Sequence, residues 1–252
     1  MATTLLIDGD IIAYKVASSC EEAVNWGNDF WTLHADAMEG KAQVDVFIED
    51  LKENLNASKV RLFLTGKINF RLDLFDDYKA NRKTVRKPMI LPALREHMLD
   101  KWDATLEEGI EADDLIGIAA TEPEAKDSVA VSVDKDFKAI PCKLYNPDRP
   151  EEGITDIDQD EADRHHLFQT LVGDSSDNYK GCPSFGPVKA NKLLDNSASA
   201  EDAWENVLTQ FDKAGLSSKH ALVQARLARI LRHGDYDFES KKVKLWTPPK
   251  RK

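Results

Sequence analysis

Four apolar runs in the first 150 residues predict buried β-strands. They cover residues 3–7, 59–66, 128–136 and 142–145. Between them, apolar residues recur with the spacing of amphipathic helices, roughly over 42–55, 89–101 and 112–120. Strands that alternate with helices indicate an α/β fold, in which a mainly parallel central sheet is flanked by helices on both faces.

The strand signals end near residue 160, and the rest of the chain has helical spacing. Apolar residues repeat with the helical period over 162–173, 187–195, 200–211 and 219–234. We therefore predict an α/β core over residues 1–160 and a helical region over residues 161–252.

Acidic residues follow the predicted strands. Asp8 ends the first strand, and Asp134 and Asp136 end the third. In parallel sheets, sites form at the carboxyl ends of strands, so these carboxylates are expected at one edge. Each motif alone has an ordinary explanation as a turn or a helix N-cap, because acidic side chains there accept hydrogen bonds from free backbone N–H groups.

The stretch GIEADDLIG (109–117) is harder to explain without a ligand. It places Glu111, Asp113 and Asp114 within four residues, directly before an apolar run. Like charges repel, and carboxylates beside a core are costly to desolvate. A helix N-terminus stabilises each charge by only about 0.3–1 kcal/mol. A divalent cation with oxygen ligands would stabilise the whole group.

With the stretch GDSSDN (173–178), the chain has eight carboxylates that could converge on metal. They are Asp8, Glu111, Asp113, Asp114, Asp134, Asp136, Asp174 and Asp177. Eight acids are too many for one Mg²⁺ and suit two ions roughly 4 Å apart, the arrangement used in phosphoryl chemistry; Mn²⁺ is expected to substitute. In that chemistry one ion lowers the pKa of a water nucleophile, and the other stabilises the leaving oxygen. No histidine or cysteine cluster accompanies the acids, which argues against zinc.

The net charge of −11 is unusual for a protein that binds nucleic acid, but the charge is segregated. Residues 79–95 carry six lysine or arginine residues and no acid, and the last twelve residues carry six more. A lone basic run is usually a solvated helix or loop. Beside an acidic metal cluster, phosphate capture becomes the better interpretation.

Within the basic stretch YKANRKTVRKP (78–88), Lys79 and Arg82 are three residues apart. On a helix they would share one face and could both reach a scissile phosphate. Tyr78 is placed to stack on a base. The remaining cations of this stretch, also expected to contact DNA, are Lys83, Arg86 and Lys87.

The segment GDSSDNYKGCPSFGPVKANKLL (173–194) predicts two helices joined by a hairpin. Gly181, Gly186 and Pro187 separate the two helices. Backbone N–H groups at such a turn can hold phosphates without reading sequence. The alternative is an ordinary connection between helices. Nearby lysines add positive charge: Lys180, Lys189 and Lys192.

Several classes of protein are not expected. No run of eighteen or more apolar residues would span a membrane, and the N-terminus MATTLLIDGD does not have the pattern of a secretory signal. The scattered cysteines Cys20, Cys142 and Cys182 form no metal motif and no disulfide framework. A monomer in a reducing cytoplasm is expected.

Six motifs occur in the order typical of one nuclease family. They are LLIDGD, FRLDLFDDYKANRKTVRKP, EADDLIG, SVDKDFK, LFQTLVGDSSDNYKG and FGPVKANKLL. On these motifs the chain resembles the flap endonuclease/5′–3′ exonuclease family, and especially the exonucleases of T-odd bacteriophages. The later segments ARILRHGDYDF and KLW also suggest the phage branch.

The resemblance implies a PIN-like parallel-sheet core, a basic helical arch over 78–100 and a helix-hairpin-helix around 173–194 that holds duplex DNA. It assigns Lys79 and Arg82 as catalytic residues and places Tyr78 near the substrate base. It also implies a monovalent cation such as K⁺ on backbone oxygens near Gly181 to Gly186. The acids are divided between two metal sites: Asp8, Glu111 and Asp113 chiefly at the first, and Asp114, Asp134, Asp136, Asp174 and Asp177 at the second.

One position departs from the family pattern. Relatives carry an aspartate after the second strand, where this chain has Thr65-Gly66. Either the first metal site is weaker here, or Asp10, two residues after Asp8, compensates.

The sequence therefore predicts a two-metal DNA nuclease that acts from 5′ ends or at 5′ flaps in phage replication, in the host bacterial cytoplasm. RNA primers in RNA–DNA hybrids are a further candidate substrate. Three alternatives stay open: a PIN-like ribonuclease, a non-catalytic DNA-binding relic of the family, and an acidic α/β protein with incidental charge clusters.

Overall fold

The computed structural model describes residues 3–249 of the chain. Its strands are β1 (Thr3–Asp8), β2 (Glu22–Asn25), β3 (Trp31–His34), β4 (Ala57–Asn69), β5 (Thr105–Gly109), β6 (Ser128–Val131), β7 (Lys143–Tyr145), β8 (Ile154–Asp156), β9 (Tyr236–Asp237) and β10 (Lys242–Val243). Its helices are α1 (Gly9–Ser19), α2 (Ala37–Asn54), α3 (Arg71–Leu74), α4 (Leu91–Trp102), α5 (Ala112–Ala120), α6 (Gln159–Val172), α7 (Pro187–Asp195), α8 (Ala200–Lys213) and α9 (Ser218–Ala228). Across residues 3–249, no helix combines the length and apolar character needed to cross a membrane.

The central sheet has six strands in the order β5-β4-β1-β6-β7-β8. All neighbouring strands are parallel except β7 and β8, which are antiparallel. The mainly parallel α/β fold predicted from the sequence is therefore confirmed. Two small antiparallel pairs, β2–β3 and β9–β10, lie outside this sheet.

Strand β1 shows how the sheet separates two cores. Leu5 and Ile7 pack into the cluster formed with α1, α2 and α4, whereas Leu6 packs into the cluster on the other face, formed mainly with α5. This alternation follows from the two-residue period of a strand, and it explains why β1 is apolar at successive positions. A third cluster joins α6, α7, α8 and α9.

Several strands were not predicted because their sequences lack a continuous apolar pattern. Strand β5 has the sequence TLEEG and lies partly exposed at the edge of the sheet. The hairpin of β2 and β3 is largely exposed, and β8 is fully so. Helix α1 begins directly after β1, with Asp8 as its N-cap.

Two predicted elements end earlier than expected. The third predicted strand stops at Val131, because the Asp134 side chain accepts a hydrogen bond from the Asp136 N–H (2.9 Å) and starts a 3-10 turn. The last helix ends at Ala228, whereas the sequence pattern predicted that it would continue to residue 234. There the carbonyl oxygens of Leu227 and Arg229 accept hydrogen bonds from a buried arginine of α3 instead of from a continuing helix.

The helical arch expected over 78–100 takes a different form. Between Tyr78 and Ile90 the chain forms turns with one short 3-10 helix, Ala80–Arg82. The helical part begins only at α4, where Leu94 and Met98 are fully buried against the sheet. The segment before Pro88 is almost entirely polar and has no apolar face to bury as a helix.

The predicted helices around the hairpin are present as α6 and α7. Gly173 and Gly181 both have positive φ, and their backbones lie so close that a Cβ on Gly181 would be 2.4 Å from the Gly173 nitrogen. Glycine is therefore required at both positions, because any side chain would separate the two strands of the connection.

Replacing Gly117 of α5 with alanine tests the contact between the core and the C-terminal segment. A Cβ there would lie 2.3 Å from the carbonyl oxygen of Leu231, so the backbone must shift. We expect the free energy of unfolding in urea to fall by about 1–3 kcal/mol. Gly186→Ala is the control, because its Cβ would meet nothing within 4 Å. Equal stability of the two variants would contradict this close packing.

Candidate active site

The carboxyl ends of the parallel strands bring the first group of acids to one edge of the sheet. Asp8 is the last residue of β1, Glu111 and Asp113 follow β5, and Asp134 and Asp136 follow β6. The side chain of Asp8 is buried and caps α1 through the N–H groups of Asp10 (3.1 Å) and Ile11 (3.2 Å).

The acids at this edge are close enough to disturb one another's ionisation. Burial raises the pKa of Asp8 to about 7, and the charge of Asp134 adds to the shift. Burial also raises the pKa of Asp136 to about 7, again with repulsion from Asp134. The pKa of Asp113 is raised by burial and by repulsion from Asp8 and Glu111. Such a group needs protons or cations to remain together.

Glu111 is the exception, because two cations face it. Lys79 forms an ion pair with its Oε1, and the Arg71 Nη1 lies 3.1 Å from its Oε2. Burial alone would raise the pKa of Glu111, but the charges of Lys79 and Arg71 outweigh it and bring the pKa to about 2. This carboxylate is therefore ionised in the absence of metal.

Asp177 connects the loop after α6 to the basic stretch. Its Oδ1 accepts a hydrogen bond from the Arg82 Nη2 (2.6 Å), and its Oδ2 lies 3.7 Å from the Lys79 Nζ. The backbone N–H of Lys79 donates to the carbonyl oxygen of Asp177 (3.0 Å). Lys79 and Arg82 thus converge as the three-residue spacing predicts. They do so from a 3-10 turn in which Lys79 has a φ of 54°, not from an α-helix.

Asp174 occupies a separate position in the same loop. Its Oδ1 accepts hydrogen bonds from the N–H and the hydroxyl of Ser176, both at 2.6 Å. Its Oδ2 lies 3.1 Å from the Nζ of Lys135, a residue that the sequence reasoning did not include in the site.

Asp114 differs from the other predicted ligands. It is fully buried, and its two oxygens accept hydrogen bonds from both terminal nitrogens of Arg71 (2.7 and 2.8 Å), from the N–H of Leu231 (3.0 Å) and from the N–H of Glu111 (3.1 Å). These partners satisfy the carboxylate without a metal. We therefore leave Asp114 out of the proposed metal ligands and assign it a structural role.

Arg71 is the structural residue that sequence reasoning missed. It is 3% exposed and donates to Glu111, Asp114 and the carbonyl oxygens of Leu227 and Arg229. The available signal was a single cation within the mostly apolar stretch FRLDLF, since a charged residue there must be paired if it is buried.

Tyr78 is buried, which does not fit the prediction that its ring stacks on a base. Its hydroxyl lies 2.9 Å from the Glu111 Oε2 and 2.8 Å from the Asp177 Oδ2. The ring fills a small cluster with Tyr179, Leu227 and Ala228. Through its hydroxyl, Tyr78 therefore contacts two predicted metal ligands, Glu111 and Asp177.

Asp10 lies where the missing family carboxylate was expected. Its Oδ2 accepts a hydrogen bond from the N–H of Thr65 (2.8 Å), and its Oδ1 forms an ion pair with Arg95. The compensation hypothesis stays a prediction. The ion pair means that a metal would have to compete with Arg95 for this side chain.

The predicted DNA-binding residues are exposed or belong to the hairpin backbone. Arg86 is exposed but pairs with Glu21 at 2.5 Å, whereas Lys83, Lys87, Lys180 and Lys192 present exposed side chains. The N–H of Gly181 is directed inward, to the Gln224 Oε1 (2.7 Å), and Gly186 precedes the start of α7. Residues 250–252 of the C-terminal basic run lie outside the described residues.

The carbonyl groups of the hairpin, where K⁺ was expected, also serve as hydrogen-bond acceptors. Three of them already accept hydrogen bonds: Cys182 from the Phe185 N–H, Ser184 from the Lys189 Nζ (3.0 Å) and Gly186 from the Ala190 N–H. Each carbonyl oxygen keeps a second lone pair, so a K⁺ ion near Gly181 to Gly186 stays a prediction.

The acidic edge does fit divalent metal. A cavity of about 20 Å³, roughly the space of one water, is lined in part by Glu111, Asp113, Asp136 and Asp177. The Asp136 Oδ1 is buried there without a hydrogen-bond partner. Among the described residues no three acids are close enough together to hold a metal ion. Three of the acids instead form ion pairs with cations of the chain: Glu111 with Lys79, Asp177 with Arg82 and Asp174 with Lys135. A larger cavity of about 700 Å³ lies at the opposite edge of the sheet, beside Ser128 and Lys143, and contains none of the predicted site residues.

The role assigned to Arg71 is testable by stability. Arg71→Met would leave Asp114 buried without its cation, so we expect the free energy of unfolding in urea to fall by about 3–5 kcal/mol. Arg149→Met is the matched control, because Arg149 pairs with Glu152 at the surface, where such a pair contributes about 0–1 kcal/mol. A loss no larger than that of the control would refute the structural role.

Comparison with known proteins identifies the family to which this chain belongs. Residues 3–164 match the family model described as 5′-3′ exonuclease, N-terminal resolvase-like domain. The exodeoxyribonuclease of Enterobacteria phage T3 is 29% identical over an alignment that covers 97% of this chain and 92% of that protein. The exonuclease of Escherichia phage T7 is also 29% identical, with 97% and 93% covered. The flap endonuclease Xni of Shewanella loihica is 31% identical over 189 residues, with 69% and 72% covered.

Solved structures share the fold. A bacteriophage T5 protein co-crystallised with metal ions superposes with a TM-score of 0.61 at 14% identity, covering 90% of this chain and 89% of that chain. The T5 flap endonuclease in a pseudo-enzyme–product complex with DNA and metal ions gives a TM-score of 0.59 at 15% identity, covering 88% and 89%.

Proposed function

This chain belongs to the 5′-3′ exonuclease family, and on that premise we propose that it is a metal-dependent nuclease that hydrolyses DNA phosphodiester bonds from 5′ ends or at 5′ flaps. The observation that carries the proposal is the acidic edge of the sheet. Seven carboxylates lie there or in the adjoining loop, and two of them, Glu111 and Asp177, are bound by the basic stretch. Acids for metal and cations for phosphate thus meet at one place.

The proposed cofactor is a pair of Mg²⁺ ions, for which Mn²⁺ can substitute. The oxygen-only donors suit these ions. Asp8, Glu111 and Asp113 would hold the first ion. The second would be held by Asp134, Asp136, Asp174 and Asp177. Bound ions of this kind activate a water and stabilise the leaving oxygen of a phosphodiester.

The basic stretch supplies the charge that faces the substrate. Without metal, Lys79 and Arg82 are bound to Glu111 and Asp177. If metal were bound by those carboxylates, the two cations would be free to contact the scissile phosphate and to stabilise its developing negative charge. The Tyr78 hydroxyl contacts the Glu111 and Asp177 side chains and helps to position both.

The biological setting is proposed from the relatives. The T3 and T7 proteins are phage nucleases that match this chain over nearly its whole length. We propose a role in phage DNA replication in the host cytoplasm, with RNA–DNA hybrids as a second substrate class. A catalytically disabled DNA-binding relative is the competing candidate, because Thr65-Gly66 lacks the family carboxylate and Asp10 is paired with Arg95.

The deciding experiment is a cleavage assay on a 5′-flap duplex labelled at either end, with Mg²⁺, Mn²⁺ or chelator. We expect metal-dependent release of product from the 5′ side. DNA binding without cleavage would instead support the disabled relative. Cleavage of single-stranded RNA at the same rate as flap DNA would support a PIN-like ribonuclease.

The Asp134→Asn variant tests the metal cluster. Asparagine keeps the side-chain oxygen that caps the 3-10 turn at 2.9 Å from the Asp136 N–H, so the fold should be retained. Losing one charged ligand is expected to lower the cleavage rate by about two to three orders of magnitude. Thermal melting without metal checks the fold, and wild-type turnover would remove Asp134 from the site.

The Lys79→Ala variant tests the catalytic cation. Its charge is needed most in the transition state, so kcat should fall by about 10²-fold or more while KM changes little. Lys83→Ala, which removes an exposed cation four residues away, should affect KM more than kcat. A pure increase in KM for Lys79→Ala would make Lys79 a positioning contact instead.

A further inference from the structure

Lys135 is a cation at the acidic edge that the proposed mechanism does not use. It lies on the 3-10 turn after β6, between Asp134 and Asp136. Its side chain is 70% exposed, yet its Nζ lies 3.1 Å from the Oδ2 of Asp174, whose own side chain is only 3% exposed. An exposed lysine thus reaches into the site and contacts a buried carboxylate.

The surroundings of Asp174 show what this contact supplies. The Oδ1 of Asp174 is held by the N–H and the hydroxyl of Ser176, and its Oδ2 is the oxygen that Lys135 contacts. Lys135 faces that oxygen and lies beside two further carboxylates, Asp134 and Asp136. Its charge therefore offsets repulsion among three acids that are proposed to hold the second metal ion.

We propose that Lys135 is the resident counterion of the second metal position, and that a divalent ion must displace its ammonium group from Asp174 to bind. This inference rests on the proposed function. Lys135 is a positioning residue in this scheme, because it acts through Asp174 and sets the metal concentration at which the site fills. Because the Lys135 side chain is exposed, it can change rotamer and turn towards solvent. A metal ion can therefore displace the ammonium group from Asp174 without movement of the backbone.

Lys135 and Lys79 are held in the cluster by different numbers of contacts. Lys79 is anchored by the hydrogen bond from its backbone N–H to Asp177 and by ion pairs with both Glu111 and Asp177. Lys135 makes one ion pair with the cluster from a turn that is anchored by the fully buried Phe137. Removing the Lys135 charge should therefore change metal affinity without loosening the basic stretch.

The test is a Mn²⁺ titration of the full chain without DNA, in which free Mn²⁺ is read by electron paramagnetic resonance. Lys135→Gln should bind the weaker of the two ions about three- to tenfold more tightly than wild type, because a repelling charge has been removed from a solvent-screened site. Lys135→Arg keeps the charge and should stay within about twofold of wild type. Lys138→Gln is the matched control, since Lys138 is exposed on the same turn and makes the same change in net charge.

Melting curves provide a second measurement. In chelator, Lys135→Gln should melt below wild type and below Lys138→Gln, because the acids have lost a counterion. Saturating Mg²⁺ should then raise its melting temperature by more than it raises that of the control.

Two results would overturn the inference while leaving the nuclease intact. One is a Mn²⁺ isotherm of Lys135→Gln that coincides with that of Lys138→Gln. The other is weaker binding in Lys135→Gln, which would make Lys135 a support for the ligands. A wild-type chain that neither binds Mn²⁺ nor cleaves flap DNA would overturn this inference and the proposed function together.

Discussion

Repulsion among the carboxylates at one edge of the sheet is the constraint on which the rest of the structure depends. Parallel strands deliver Asp8, Asp113 and Asp134 to the same place, where burial raises the pKa of Asp8 and Asp113. Such a group is compatible with a folded core only if positive charge reaches it. In this structure the charge comes from the chain itself, through Lys79, Arg82 and Lys135.

Arg71 joins the helical region to the sheet. Arg71 neutralises Asp114 and Glu111 and also binds the carbonyl oxygens at the end of α9. The N–H of Leu231 completes the partners of Asp114. Arg71 therefore holds two carboxylates, Glu111 and Asp114, and binds the carbonyl oxygens at the end of α9. The C-terminal segment then returns to the core, where Ile230 and Leu231 pack with α5.

The same cations that neutralise the acids are suited to the proposed chemistry. If metal ions were bound by Glu111 and Asp177, Lys79 and Arg82 would become available for a phosphate, which carries the opposite charge. Metal binding and substrate binding would then be linked by electrostatics. Metal on the carboxylates would free the cations for phosphate, and phosphate on the cations would free the carboxylates for metal. The connection between α6 and α7 takes part in this exchange through Asp177, and close backbone contact between Gly173 and Gly181 holds it in place.

The sequence by itself determined the α/β fold, the main strands and most helices, because apolar periodicity is a local property. It also placed the acids at strand ends, where their convergence follows from the parallel sheet. It did not reveal the roles of Arg71, Asp114 or Lys135, or the burial of Tyr78. The sequence likewise did not show that residues 78–90 form turns rather than a helix. Only the tertiary structure decided these points, because charge pairing depends on which residues meet across distant segments. Arg71 and Asp114 lie 43 positions apart, and no local pattern shows that these two residues pair.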